Sequence, residues 1–264
     1  MQEENRSKTV SGLRNNDGAL SYLQCFELEK LSIIIPCYNE VKLIQPLLDK
    51  VLQANLLYSV QKEIIVVDDA STDGTYAVLE RYCECKHPII LCRHVLNAGK
   101  GAAIRTALEK VTGDIVIIQD ADMEYDHRDY NKLLAPIVEG FADVVYGSRF
   151  RGDSPHRVLF YFHTIGNKFL TFLSNLFTQI NLTDMETGFK MFKADCLKKI
   201  SIQENRFGIE PEITAKISRI KNIRIYEVGI SYYGRTYSEG KKINWKDGFR
   251  AIYCIIKYNL FSRK

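Results

Sequence analysis

No run of 18 apolar residues occurs anywhere in the 264-residue chain, so no segment is expected to cross a bilayer as a helix. The opening MQEENRSKTV is acidic and polar and lacks the apolar core of a secretory signal. Paired C-x-x-C spacing is also missing. The seven cysteines, at 25, 37, 83, 85, 92, 196 and 254, are odd in number and unsuited to a zinc set, which implies reduced thiols in a cytosolic protein. Charge of one sign is scarce: 36 Lys and Arg against 32 Asp and Glu leave +4, too little for a nucleic-acid binder. Two nucleotide fingerprints are absent as well. The first strand–helix–strand unit has no G-x-G-x-x-G, and Gly99-Lys100-Gly101 lacks the hydroxyl residue that follows a P-loop lysine. An ordinary NAD enzyme and a P-loop ATPase are thereby excluded.

What is present reads as one globular domain. Hydrophobic residues make up 46% and charged residues 26%, enough apolar material for a real core. Residues 1–28 are polar and without periodicity, which predicts a loose leader. From Leu31 onward, apolar β-branched runs (32–36, 63–68, 89–92, 114–118 and 143–147) alternate with helical patterns near 40–54, 74–85, 99–111 and 128–139. Such strands predict an α/β domain, doubly wound, with a mostly parallel sheet and helices on both faces. Its ligand belongs at the carboxyl ends of the strands.

The motifs gather at those ends. Asp120-Ala121-Asp122-Met123-Glu124 follows a strand directly, and residues 112–130 hold six acids against Arg128 alone, a balance that calls for a hard cation. Asp68-Asp69-Ala70-Ser71-Thr72-Asp73-Gly74-Thr75 closes another strand. One of Thr72 and Asp73 suits a helix cap, and Asp68 or Asp69 a base or ribose. Asn97-Ala98-Gly99-Lys100-Gly101 opens a helix and suits a phosphate. Gly147-Ser148-Arg149-Phe150 supplies an arginine for a diphosphate or for the acidic cluster. Glu210-Pro211-Glu212 stands near a helix start, where a carboxylate also answers the helix dipole. Residues 235–242 (RTYSEGKK) read as a flexible lid over phosphates.

These motifs, with Ile35-Pro36-Cys37-Tyr38-Asn39-Glu40, resemble the family 2 glycosyltransferases of GT-A fold, over about residues 31–245 and in the same order. The chain is most similar to the branch that makes dolichyl- and polyprenyl-phosphate sugars. The resemblance implies that Pro36, Tyr38, Asn39, Glu40, Asp68, Asp69, Lys100, Gly101 and Ala121 bind a sugar-nucleotide donor. It implies Mg2+ or Mn2+ on Asp120, Asp122 and Glu124, and inversion at the anomeric carbon. Arg149, Arg235 and Lys241 are implied as phosphate-facing cations, with His163, Asp184, Glu212 and Tyr237 as acceptor-side residues. Residues 184–192 (DMETGFKMF) are similar to the D-x-T-G-x-F-R-x-Y region of lipid-phosphate enzymes. At the position before Gly166, where many relatives carry Arg, this chain has Ile165.

A polyprenyl phosphate is already an anion, whereas a sugar or protein hydroxyl needs a base, for which Asp184, Glu186 and Glu212 are candidates. A sugar-nucleotide binder without catalysis is the third reading. Residues 157–181 and 243–262 are apolar and aromatic, and residues 241–264 carry seven basic residues against Asp247 alone. The remainder holds 29 basic against 31 acidic residues. We therefore expect a catalytic domain over 29–240 and a basic amphipathic helix over 241–264. That helix would sit peripherally at the cytoplasmic membrane face, with a membrane partner subunit or a second copy as possible company.

Overall fold

The computed structural model describes residues 29–86, 89–152, 157–158, 160–235 and 245–261. The expected leader, Tyr237 and Lys241 lie outside the described residues. β1 (Lys30–Cys37), β2 (Gln61–Asp68), β3 (Ile89–Arg93) and β4 (Ile115–Ile118) pair in parallel in the order β3-β2-β1-β4. Their Ile and Val side chains suit a pleated surface covered on both faces, and this is why the strands read as unbroken apolar runs. β1 shows the division. Leu31, Ile33 and Ile35 enter one core with Leu79 of α2 (Thr75–Lys86) and Leu133 of α4 (Tyr130–Val138). Ile34 enters the other with Ala103 of α3 (Lys100–Leu108), Ile213 of α7 (Ile209–Ile217) and Ala251 of α8 (Trp245–Ile256). The alternation follows from the two-residue repeat of a strand. Each such fully buried side chain contributes about 1.5–3 kcal/mol.

The sheet continues as β4-β6-β5-β7, with β5 (Val144–Ser148) and β7 (Ile225–Gly229) parallel to each other. β6 (Lys190–Lys193) runs antiparallel between β4 and β5, pairing Phe192 with Val116 and Met191 with Val145. The sequence pattern gives no sign of β6, which has four residues and a lysine at each end. Lys190 is nevertheless buried; its Nζ donates to the Thr187 carbonyl and lies 5.1 Å from the centre of the Tyr146 ring. The inserted strand carries the 184–189 turn to the end of β4.

α5 (Tyr161–Thr178) lies against α8, and beyond Ile256 the chain continues as a wide turn, Lys257–Phe261. No helix of the described residues is long and apolar enough to cross a membrane.

Candidate active site

The turns after β1 and β2 are laced together. Asn39 adopts a positive φ of 50°, accepts from Thr72 N through Oδ1 (2.8 Å) and donates its own amide to Ser71 Oγ (2.9 Å). Glu40 N donates to Thr75 Oγ1 (2.9 Å), and Asp73 accepts from Thr75 N (3.0 Å), so the cap belongs to Asp73 rather than Thr72. Pro36 lies within β1 opposite Val67, and Tyr38 follows half-buried. Asp68 is fully buried at the end of β2. Its Oδ2 accepts from Ser71 N (3.3 Å), but Oδ1 has no hydrogen-bond partner among the described residues. A buried carboxylate oxygen left open costs about 1–3 kcal/mol, which marks Asp68 as an acceptor awaiting a donor group.

Asp69 has a different task from the expected contact with a nucleoside. Its Oδ1 accepts from Ala98 N (2.9 Å) and faces His94 Nδ1 (2.7 Å), while Oδ2 accepts from Gly99 N (2.7 Å). The carboxylate therefore shapes the glycine turn. That turn is also packed closely against residues 204–205. Ala102 N donates to the Asn205 carbonyl (3.2 Å), and a side chain at Gly101 would collide with the Glu204 carbonyl. The amides of Ala98, Gly99 and Ala102 are thus satisfied by protein oxygens, and the glycines are required by the close approach of residues 204–205.

Lys100 points elsewhere. Its ammonium stands 2.8 Å from Asp120 Oδ1 and 2.9 Å from Glu210 Oε1. Burial opposes the charge, yet Asp120 and Glu210 outweigh it and hold the lysine well above its ordinary pKa. Ala121 is buried between the two aspartates. The Arg235 guanidinium lies 3.2 Å from each Glu40 oxygen and 3.3 Å from Asp122 Oδ2. Glu40 thus faces an arginine 195 residues away rather than a nucleoside pocket. Burial, followed by the fields of Asp120 and Glu124, pushes the Asp122 carboxyl up to about 7 although Arg235 opposes them. More negative charge collects here than Lys100 and Arg235 cancel.

Glu124, the third carboxylate of the expected ligand set, has both oxygens engaged by protein donors. Its Oε1 accepts from Arg235 N (2.7 Å) and its Oε2 from Tyr232 OH (2.6 Å), so both oxygens are engaged by the 232–235 segment that follows β7. Among the described residues, no three His, Cys, Asp or Glu side chains are grouped to hold a metal ion. Asp120 and Asp122 keep the chemistry of hard oxygen donors. The floor beneath them is aromatic: Tyr125 stacks on Phe189 at 5.1 Å, and its hydroxyl accepts from Gly188 N (2.8 Å). A side chain at Gly188 would run into Asp120 Oδ2, so the 184–190 turn abuts the acidic pair.

The other candidates divide. Arg149 is not a free cation: Nε and Nη2 make 2.7 Å contacts to the two oxygens of fully buried Asp184, and Arg149 N adds a third at 3.0 Å. That pairing removes Asp184 as an available base and joins the end of β5 to the 184 turn. The guanidinium also lies 5.3 Å from the Tyr232 ring centre, within cation–π reach. Glu212 is buried and accepts from Gln203 N and Glu204 N (2.7 Å each), which assigns it to loop anchoring rather than to an acceptor. His163 sits in the first turn of α5, its ring 6.0 Å from that of Phe160. Sequence reasoning passed over Tyr125 and Tyr232 as parts of the site and reached Gly188 only within the 184–192 segment. Their place depends on β6 and on the isolated Tyr125–Tyr232 bridge, for which the local sequence carries no signal.

This geometry can be set beside known proteins. The dolichyl-phosphate N-acetylglucosaminyltransferase of Methanococcus voltae, which uses UDP-N-acetylglucosamine, is 29% identical over 240 residues, covering 85% of this chain and 94% of the relative. A dolichyl-phosphate beta-glucosyltransferase of Trichomonas vaginalis is 30% identical over 247 residues, covering 88% and 74%. Among solved structures, glucosyl-3-phosphoglycerate synthase of Mycobacterium tuberculosis, crystallised with Mn2+, UDP and its product, superposes with a TM-score of 0.67. At 17% identity and coverage of 88% of this chain and 80% of that one, the likeness shows a shared GT-A fold. Residues 32–201, well over half the chain, match the family described as glycosyl transferase family 2, and with the strand-end motifs this establishes that the chain belongs to that family of glycosyltransferases.

Proposed function

We propose that the protein transfers a hexose or N-acetylhexosamine from a UDP- or GDP-sugar to a polyprenyl phosphate at a membrane surface, with inversion at the anomeric carbon. The observation that carries this reading is the half-buried acidic pair Asp120 and Asp122 at the carboxyl end of β4, flanked by the cations Lys100 and Arg235. The open Oδ1 of Asp68 at the end of β2 supplies an acceptor for a hydroxyl or N–H of the nucleoside. The surplus negative charge and the hard oxygens of Asp120 and Asp122 fit Mg2+ or Mn2+, and these two residues would hold the ion. Such an ion supplies Lewis-acid neutralisation of the leaving diphosphate. Transfer forms a bond from an acceptor phosphate oxygen to the anomeric carbon and breaks the bond from that carbon to the diphosphate. The acceptor is already deprotonated, so no base takes part. The two dolichyl-phosphate relatives support the choice of acceptor.

Two exposed stripes support the membrane. Phe162, Ile165, Phe169, Phe172 and Leu176 recur every three or four residues along α5 and face solvent, as do Phe249, Tyr253 and Ile256 on α8. α5 packs on α8, and exposed Lys168 and Arg250 lie on the same two helices as the stripes. The double variant Phe172→Glu with Tyr253→Glu is expected to lower partition onto anionic vesicles at least about tenfold. Undiminished binding, or a dimer in sedimentation that the variant dissociates, assigns the face to protein contact instead.

Incubation with labelled UDP- and GDP-sugars, undecaprenyl or dolichyl phosphate and Mg2+ is expected to give an organic-extractable, mild-acid-labile product. Absence of that product with every donor defeats the reading. One observation favours a hydroxyl acceptor instead: among the described residues Glu186 Oε1 is buried without a hydrogen-bond partner, and burial with the field of Glu210 raises its pKa well above the carboxylate range, toward that of a general base. A rate indifferent to lipid phosphate and lost in Glu186→Gln selects that reading.

A further inference from the structure

We infer that Arg235 is the resting counter-ion of Asp122, held in place by Glu40, and that a divalent cation arriving at Asp122 displaces it. The inference rests on the proposed metal role of Asp120 and Asp122. The two acids are closed by two different internal cations, and the closures differ in kind. Lys100 makes tight contacts of 2.8 and 2.9 Å to Asp120 and Glu210. Arg235 presents its fork to Glu40, with 3.2 Å to each oxygen, and reaches Asp122 through one nitrogen at 3.3 Å. Its Nε is buried without a hydrogen-bond partner among the described residues, 3.8 Å from Glu124 Oε1. A planar guanidinium prefers two parallel bonds to one carboxylate, and Glu40 provides them where Asp122 does not.

Asp122 is consequently the less tightly paired acid, with one 3.3 Å contact to its cation against the 2.8 Å contact of Asp120. The backbone at 235 is independently fixed, because Arg235 N and Tyr233 N both donate to Glu124 (2.7 and 2.9 Å). The side chain can therefore leave Asp122 by rotating about its own bonds without moving the 232–235 segment. Once displaced, it would be free to add a charge-assisted hydrogen bond to a diphosphate carried by the cation that Asp120 and Asp122 would hold. Glu40 is a positioning residue in this scheme. It keeps the arginine near the acidic pair without giving it wholly to Asp122.

Binding of Mn2+ alone, followed by the electron paramagnetic resonance signal of the free ion, tests this by sign. Arg235→Ala is expected to bind Mn2+ alone about 5–10-fold more tightly, and Mn2+ with UDP or GDP about tenfold more weakly, as loss of a nearby cation and of a phosphate contact requires. Arg235→Gln shifts both in the same directions and serves if the alanine variant fails to fold. Glu40→Gln frees the fork for Asp122 and is expected to weaken Mn2+ binding about 2–5-fold, an effect that vanishes when combined with Arg235→Ala. Unchanged or weaker binding of Mn2+ alone in both Arg235 variants overturns the inference, as does a Glu40→Gln effect that persists without Arg235. Wild-type protein that binds no Mn2+, with or without nucleotide, overturns the metal reading and this inference with it.

Discussion

Asp122→Asn is expected to lower the rate of sugar transfer at least about a thousandfold, equivalent to about 4 kcal/mol of lost transition-state stabilisation. The substitution keeps shape and removes one hard anionic oxygen from the pair proposed to carry the donor's cation. Stability should not suffer. Burial and the neighbouring Asp120 and Glu124 already penalise the charge at this position, and the neutral amide escapes that penalty. Thermal unfolding of the variant is expected at or slightly above the wild-type temperature, which separates a chemical loss from a folding loss. Chelation of wild-type protein should reproduce the defect, and Mg2+ or Mn2+ should reverse it. Near-normal turnover in Asp122→Asn would remove Asp122 from the catalytic centre.

Asp184→Ala is expected to destabilise the protein by about 3–5 kcal/mol, the cost of leaving a buried guanidinium without its counter-charge. The Arg149 side chain is only 10% exposed and Asp184 is fully buried, so water cannot replace the lost carboxylate. For a chain of this size, that loss lowers the unfolding temperature by about 6–20 °C. The double variant Asp184→Leu with Arg149→Met is expected to regain much of the stability, because a well-packed apolar pair avoids the desolvation cost. Transfer should remain impaired in both variants, since the 184–190 turn borders Asp120 through Gly188. Urea titration measures the first effect. A loss below about 1 kcal/mol would show that the ion pair does not hold the end of β5 to this turn.

The first four strands were legible because a parallel strand buried on both faces is a continuous apolar run, and each ends on residues of a different chemistry. Asp68, Lys100, Asp120 and Asp122 were placed near their observed positions by that pattern alone. β6 was not legible, because Lys190-Met191-Phe192-Lys193 has charges at both ends and becomes a strand only between β4 and β5. Asp69, Glu124, Arg149 and Glu212 looked like ligands or acceptor groups for a similar reason. A charged residue in a motif shows its chemistry in the sequence, whereas the partner that uses up its hydrogen bonds is far away along the chain.

The sequence by itself determined the α/β class, the family resemblance and the gathering of acids and cations at one edge of the sheet, since these follow from local periodicity and from motifs short enough to read in place. Tertiary structure decided which cation answers which acid. Lys100 meets Glu210 across 110 residues, Arg149 meets Asp184 across 35, and Arg235 meets Glu40 across 195. Such pairings depend on distances of about 3 Å, and a charge is either cancelled or left in surplus within that range. The open charge at Asp122 is therefore a property of the folded chain.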